Sequence, residues 1–485
     1  MKSPFVRSCV LCACLLAPAA SAWAQPTAPT PPAPPPAPAA PTRQPPEPAP
    51  APPAPLAPAP APNSPAPAAP APAGAPTPAA PVPESTAEKL FDTRVYGYLN
   101  SFLAQIAPFT LERPLAYDRA SNRLIKELEP MGFNVDAFLM IQGTIGNRYR
   151  FFMNIATIGA GDPIEGRELE LRNGWVEASL YGQALAVRAG RMYRRFGLYN
   201  EILDATPTFI GIKEPEILDD DHLMITRTTN LMLLGAYVKD SHKLEYALTT
   251  GEDERESNQV PLGADLSYSH EQRFKIGVSY YDTMGKAKPG VAVGEGSPKG
   301  GVADWMAEDR YRAIDVYAQL ALGPWIAQLE YCAARHHGRR DPAALLPLAD
   351  PTADLSPAQY RRFFTDPYDD TPPTEADVIR DATYTAQTAY LRVGYELRDG
   401  MFTPYLQGDY YKNPETVPLE AYGGDNEAGF DDRGRFFKGA LGFMFRPLPQ
   451  IALKLEYGSH FFMKWGGTSY VDPELRASFS YFWEI

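Results

Sequence analysis

The sequence predicts an all-β fold, a transmembrane antiparallel β-barrel of about sixteen strands with long loops at one end and short turns at the other. Three observations predict it. The N-terminus carries an export signal, apolar residues recur at every second position from Phe91 onward, and the connections alternate between long and short.

The export signal comes first in the chain. Lys2 and Arg7 precede or flank the start of the apolar run CVLCACLLA, and the small-residue stretch PAASAWA follows it. A charged region, a short apolar region and an A-x-A site make residues 1–24 a signal peptide cleaved after Ala24. The apolar run is too short to cross a bilayer as a helix. Removing Lys2 and Arg7 with no acid takes the net charge from −13 to −15. Of the four cysteines only Cys332 remains, so no internal disulfide is expected and stability must come from the fold. The acidic balance argues against a nucleic-acid partner.

Residues 25–84 are almost wholly Pro and Ala, with Arg43 and Glu47 the charges between Pro26 and Pro83. Such a segment has too little apolar side-chain surface to fold, and Pro biases it toward extended polyproline II. It is expected to be disordered and periplasmic. Its use is either as a spacer or as a contact to the cell wall or a periplasmic partner.

From residue 85 to 485 the barrel is expected. FNVDAFLMIQGTI sets Val135, Ala137, Leu139 and Ile141 on one face and Asn134, Asp136 and Gln142 on the other. RYRFFMNI, RFKIGVSYYDT and IALKLEYG alternate in the same way, the last with Ile451, Leu453 and Leu455 opposite Lys454 and Glu456. Strict alternation over eight to ten residues marks half-buried strands. The first eight begin near Arg94, Phe133, Arg148, Glu168, Ala184, Asn230, Lys243 and Gly263. The second eight begin near Arg273, Tyr311, Trp325, Tyr384, Met401, Phe436, Ile451 and Ala477. Seven short connections, such as Gly146-Asn147 and Gly323-Pro324, alternate with long polar ones at about 107–131, 158–167, 200–229, 252–262, 284–310, 336–382, 413–434 and 460–475. Compact soluble domains rarely carry so many long loops, whereas outer-membrane barrels do so by construction.

Closure of such a barrel would pair ASFSYFWEI, from Ala477, with RVYGYLNSFLAQI, from Arg94, and remove both sheet edges. The terminal alternation of Phe479, Tyr481 and Trp483 resembles the targeting signature of bacterial outer-membrane proteins, with Ile485 where Phe is usual. These features place the chain in the cell outer membrane of a Gram-negative bacterium, with outer-membrane lipid around it.

The stretch VRAGRMYRRFGLYNEILDATPTFIGIKEPEIL, Val187 to Leu218, resembles porin sequence, in particular the phosphate-selective porin-like group. There a G-R-x-x-x-x-F-G strand end leads into a loop that folds inward, and VYGYLNSF near Val95 resembles the first strand of that class. The resemblance implies a sixteen-stranded barrel, a homotrimer, and a loop around Ile202 to Arg227 that constricts the pore.

A barrel of this size leaves an aqueous channel whose selectivity comes from charges at its narrowest ring. Alternation offers Arg148, Arg150, Arg188, Arg191, Arg194, Arg195, Arg273, Lys275 and Arg392 as pore-lining cations. Asp136, Glu177, Glu245, Asp265, Asp315, Glu330, Glu396 and Asp409 stand as their counter-charges. Guanidinium binds phosphate in a fork, which would let the arginines recognise anions; the simpler expectation is a salt-bridge ladder with these acids inside the lumen. The constriction loop itself is acidic: Lys213, Glu214, Asp219, Asp220 and Asp221 are its candidate residues. Lumen charges that nearly balance, with an acidic loop, favour general diffusion of ions and small hydrophilic solutes over a phosphate filter.

The mature chain contains no H-E-x-x-H, G-x-S-x-G, Walker or paired C-x-x-C motif, so no enzyme, catalytic residue, metal or cofactor is expected. His336 and His337 are read as a solvated loop start. The oxygen-rich cluster at Gly423 to Asp432 lacks EF-hand spacing, and Cys332 falls on the lumen side of its strand. Three functions stay open: a passive pore, a specific substrate transporter, and a non-conducting structural or cell-wall-tethered barrel.

Overall fold

The computed structural model describes the strands between Phe91 and Glu484 and much of what joins them. Residues 1–90, 105–111, 119–122, 129–131, 159–167, 201–209, 213–226 apart from Pro215, 253–258, 287–304, 350–356, 366–371 and 416–433 lie outside the described residues, with a few single positions. The expectations for the signal peptide 1–24, the Pro/Ala segment 25–84, the acidic loop residues Lys213, Glu214, Asp219, Asp220 and Asp221, and the Gly423–Asp432 cluster therefore concern residues outside that description.

Sixteen strands close into one antiparallel barrel. The first eight are β1 (Phe91–Ala104), β4 (Gly132–Ile145), β5 (Tyr149–Ile158), β6 (Glu168–Tyr181), β7 (Leu185–Tyr193), β8 (Arg227–Lys239), β9 (His242–Gly251) and β10 (Leu262–His270). The others are β11 (Phe274–Asp282), β12 (Met306–Leu322), β13 (Trp325–Arg340), β14 (Asp381–Tyr395), β15 (Phe402–Lys412), β16 (Arg435–Leu448), β17 (Ile451–Trp465) and β18 (Thr468–Glu484). Each pairs with its sequence neighbour, and β18 closes on β1 with Ser480 opposite Asn100 and Phe479 opposite Ser101. Ser480 Oγ donates to Asn100 Oδ1 at 2.7 Å across this seam.

The turns explain themselves. Gly146, Gly182 and Gly323 sit at three tight hairpins with φ of 56°, 51° and 57°, where space is open and only the backbone conformation selects glycine.

The two faces of the sheet are inverted relative to a soluble protein. On β13 Gln328, Glu330, Cys332 and His336 are buried, while Leu329 and Tyr331 between them are exposed. On β17 Lys454 and Glu456 are buried, and Leu453, Leu455 and Tyr457 are exposed. An apolar face continued over so many strands is far larger than the few hundred Å² a soluble monomer shows to water. Apolar outside and polar within is the arrangement of a barrel in lipid. Aromatic pairs such as Trp325–Tyr395 (4.7 Å) and Phe402–Phe445 (4.7 Å) gather near the short-turn end, as at a membrane interface.

Four features depart from the sequence expectation. The stretch 460–475 is not a long loop: β17 and β18 run on through it, paired as far as Trp465 opposite Thr468. The first connection carries its own hairpin, β2 (Glu112–Asp118) with β3 (Arg123–Leu128). The connection after β13 contains two short helices, α1 (Pro342–Leu345), capped by Asp341, and α2 (Pro357–Phe363). His336 is not solvated: it is fully buried, bonded to Asp309 Oδ2 at 2.9 Å and stacked on Tyr384 with ring centroids 4.3 Å apart. The strand alternates faces correctly there; what covers the inner face is the aromatic cluster of Trp305, Tyr360, Phe363 and Phe364.

Candidate pore constriction

The chain turns into the barrel where β7 ends. Both glycines of the G-R-x-x-x-x-F-G stretch hold positive φ, 141° at Gly190 and 68° at Gly197. A side chain on Gly190 would strike the Gly174 carbonyl, and one on Gly197 would strike the carboxylates of Glu330 and Asp315. The motif therefore marks a tight contact of Gly190 with β6 within the sheet and a tight approach of the inward backbone to the inner wall at Gly197. Between them Arg194 is buried, with Nη2 donating to the Glu252 carbonyl at 2.7 Å and its guanidinium 5.2 Å from the Tyr281 ring centre.

The inward segment is fastened to the far wall by its own backbone. Gly197 N–H donates to Ser279 Oγ at 2.9 Å, and Leu198 N–H to Glu330 Oε1 at 3.2 Å. Tyr199 O–H donates to Gln328 Oε1 and accepts from Arg392 Nη1 at 3.4 Å. Further along, Ile212 N–H donates to Glu456 Oε2 at 3.2 Å, and Lys454 Nζ donates to the Gly211 carbonyl at 2.9 Å. Glu456 also receives Tyr405 O–H at 2.7 Å and Arg476 Nη1 at 3.3 Å. These partners lie on β11, β13, β14 and β17, and β17 is six strand positions from β7 by the shorter way round. The described stretches 194–200 and 210–212 thus both reach strands far from β7. Phe196 and Tyr199 are buried in the aromatic cluster, and Ile210 packs with Tyr405 and Met444.

Against β5–β9 a space remains. A cavity of about 300 Å³ is lined by Arg150, Arg188, Arg195 and Lys243, and by Glu177 and Glu245. Arg188 forks onto Glu177 through Nε at 3.0 Å and Nη2 at 2.9 Å, and lies 4.0 Å from the Trp175 ring centre. Arg150 reaches the same carboxylate at 3.7 Å, and Lys243 pairs with Glu245 at 2.8 Å. Four cations therefore meet two carboxylates, and both acids are engaged by cations.

The sequence candidates divide by depth. Arg150, Arg188 and Glu177 come together in the cavity, and Arg148 sits at the neighbouring turn, exposed, beside the Tyr149 ring. Arg191 pairs with Glu170 at 3.7 Å at the loop end of β7, and Arg273 pairs with Glu271 at 3.5 Å in the turn before β11. Lys275 lies 5.5 Å from the Tyr317 ring centre. Asp136 is half-buried on β4, opposite Asn100. Arg194, Arg392, Asp315 and Glu330 face inward but are at most 1% exposed, because the inward segment and aromatic cluster lie over them. Glu330 and Arg392 hold the segment through Leu198 and Tyr199, and none of the four lines open water. Lys243, Lys454, Glu456 and Arg476 were absent from the sequence candidates, although alternation with Leu453 and Leu455 already put Lys454 and Glu456 on the inner face.

No family model matches the chain, and no curated protein does. Among solved structures it is similar to an anion-selective porin from Comamonas acidovorans, at 11% identity and a TM-score of 0.47, covering 81% of this chain and 100% of that one. It is similar to Salmonella typhi OmpF in complex with daunomycin, at 12% identity and a TM-score of 0.46, covering 81% and 97%. The outer membrane channel DcaP of Acinetobacter baumannii gives 11% identity and a TM-score of 0.44 over 82% and 99%. At that identity and score these likenesses assign no role to any residue of this chain.

Proposed function

We propose that the chain is an outer-membrane porin of a Gram-negative bacterium, a non-enzymatic channel for passive diffusion of ions and small hydrophilic solutes. The observation that carries this reading is the pair of inward stretches 194–200 and 210–212, bonded to Glu330, Lys454 and Glu456 on the inner wall, with a charged cavity left on the β5–β9 side. A segment tied across a wide barrel narrows the passage without sealing it, and the charges beside the gap then set selectivity. With four cations against two carboxylates, the cavity favours small anions, phosphate included. Residues 1–24 direct export, 25–84 form a periplasmic spacer, and the barrel assembles as a homotrimer.

Planar-bilayer recording of the mature protein tests this. Stable current steps, with a reversal potential in a KCl gradient displaced toward chloride, are expected. A folded barrel that passes no current would sink the pore and favour the structural barrel, a reading supported by the dense aromatic cluster along β11–β15. Addition of phosphate distinguishes binding from simple diffusion, since a bound anion blocks chloride current.

A further inference from the structure

The outward face of β12 and β13 changes character at Arg312. On the short-turn side of it, Ile314, Val316, Leu329 and Tyr331 are exposed apolar side chains. At Arg312 and toward the loops, Arg310, Arg312, Arg335 and Arg339 share that face by alternation. Arg312 and Arg335 are directly opposite one another in the ladder. Like charges so placed destabilise a strand pair unless something between them is negative.

The arrangement recurs. Lys412 of β15 is directly opposite Arg435 of β16 on the same face. Between the two pairs β14 supplies only neutral neighbours, Thr385 beside Arg335 and Gln387 beside Lys412. A belt of cations on β12–β13, with a second pair on β15–β16 beyond neutral β14, thus lies at the level where the apolar wall ends, on a chain whose net charge is −13.

The acids nearby answer part of this charge. Asp282 receives Arg310 at 3.1 Å and Arg312 at 2.7 Å. Glu308 takes Lys286 at 2.8 Å and faces Arg339 in register, as Asp381 does from β14. These three stand at the β11 edge or nearer the loops. Arg335 has Arg312 and Thr385 as ladder neighbours and no carboxylate partner among the described residues.

We propose that this belt binds the phosphorylated headgroup of an outer-leaflet lipid, phosphate oxygens bridging Arg312 and Arg335 and acyl chains lying on Ile314, Val316 and Tyr331. Guanidinium meets phosphate in a fork, and the belt adjoins an apolar wall that a free anion would leave uncovered. The site needs an amphiphile of that polarity. It rests on the outer-membrane placement proposed above, with the loops outward.

The test uses the full chain folded in dodecyl maltoside, diphosphorylated lipid A as probe and native mass spectrometry as readout. Binding is expected to weaken about tenfold in R312Q/R335Q, the loss of charge-assisted contacts to one phosphate. It is expected to stay unchanged in K239Q, at the opposite rim. Lipid A stripped of both phosphates should bind no better to the wild type than to the double variant. Equal binding of diphosphorylated lipid A by wild type and double variant overturns the proposal. So does its displacement by equimolar inorganic pyrophosphate, which would make the site one for free phosphate. If R312Q/R335Q loses the heat-modifiable gel mobility of a folded barrel, R335Q alone is titrated, and unchanged binding there is equally fatal. Channel current recorded on the same preparation separates this site from the pore: a conducting barrel blind to the phosphates overturns only the lipid site.

Discussion

Lys454 on β17 donates its ammonium to the carbonyl oxygen of Gly211 at 2.9 Å, and both residues are buried. The contact joins the far wall to the segment that began at β7. Its neighbour Glu456 holds Ile212 N–H, so two adjacent inner positions of one strand grip two residues of the crossing segment. Replacing Lys454 by Met leaves the Gly211 carbonyl without that donor, at a cost of roughly 1–3 kcal/mol for an unsatisfied buried group. K454M is expected to give larger and noisier single-channel steps than the wild type while keeping the gel mobility of a folded barrel. Unchanged conductance would show that this latch does not set the passage.

Gly197 is a second control point. Its φ of 68° disfavours any side chain by about 1–2 kcal/mol, and a methyl there would meet the Glu330 carboxylate that holds Leu198 N–H. G197A is therefore expected to displace the start of the segment and lower the thermal unfolding midpoint. The control is Gly408, where a methyl meets nothing within 4 Å and φ is not positive; G408A should leave midpoint and conductance alone.

The cavity charges predict selectivity. Glu177 is shared by Arg188 and Arg150, and E177Q removes one of the two carboxylates that line the cavity among the described residues. A unit charge about 4 Å from a passing ion is worth about 1 kcal/mol in water, a factor of about five in preference. The reversal potential of E177Q should move further toward chloride, and that of R188E toward potassium. Both shifts should shrink at 1 M salt, where the screening length is about 3 Å. Shifts of equal size at low and high salt would place the selectivity elsewhere.

The strands were legible because alternation is local. Glu168, Trp325 and Ile451 begin strands where the sequence pattern starts them, and Leu185, His242 and Phe274 do so within one residue. Depth was not legible. Alternation puts Arg392, Glu330 and His336 on the inner face, but whether water or protein meets them depends on a segment that starts near Arg194 and on helices after Pro342. Those contacts span more than a hundred residues for Leu198 to Glu330 and more than two hundred for Gly211 to Lys454. The reach of β17 past Phe461 also escaped the pattern, because His460, Lys464 and the glycines Gly466 and Gly467 look like loop when read alone.

Cys332 offers a probe of that depth. It is fully buried on the inner face of β13, between Glu330 and Ala334, beneath the same aromatic cluster as Phe196 and Tyr199. Were the lumen open to water along this wall, a charged methanethiosulfonate would reach the thiol at once. The packing predicts instead that Cys332 of the folded protein resists the reagent and reacts fully on unfolding. K454M and G197A should raise the labelling rate of the folded barrel by about tenfold or more, since each loosens the segment by at least about 1 kcal/mol. Rapid labelling of the wild type would mean that the crossing segment does not cover β13, and the constriction would have to be sought among the loops above it.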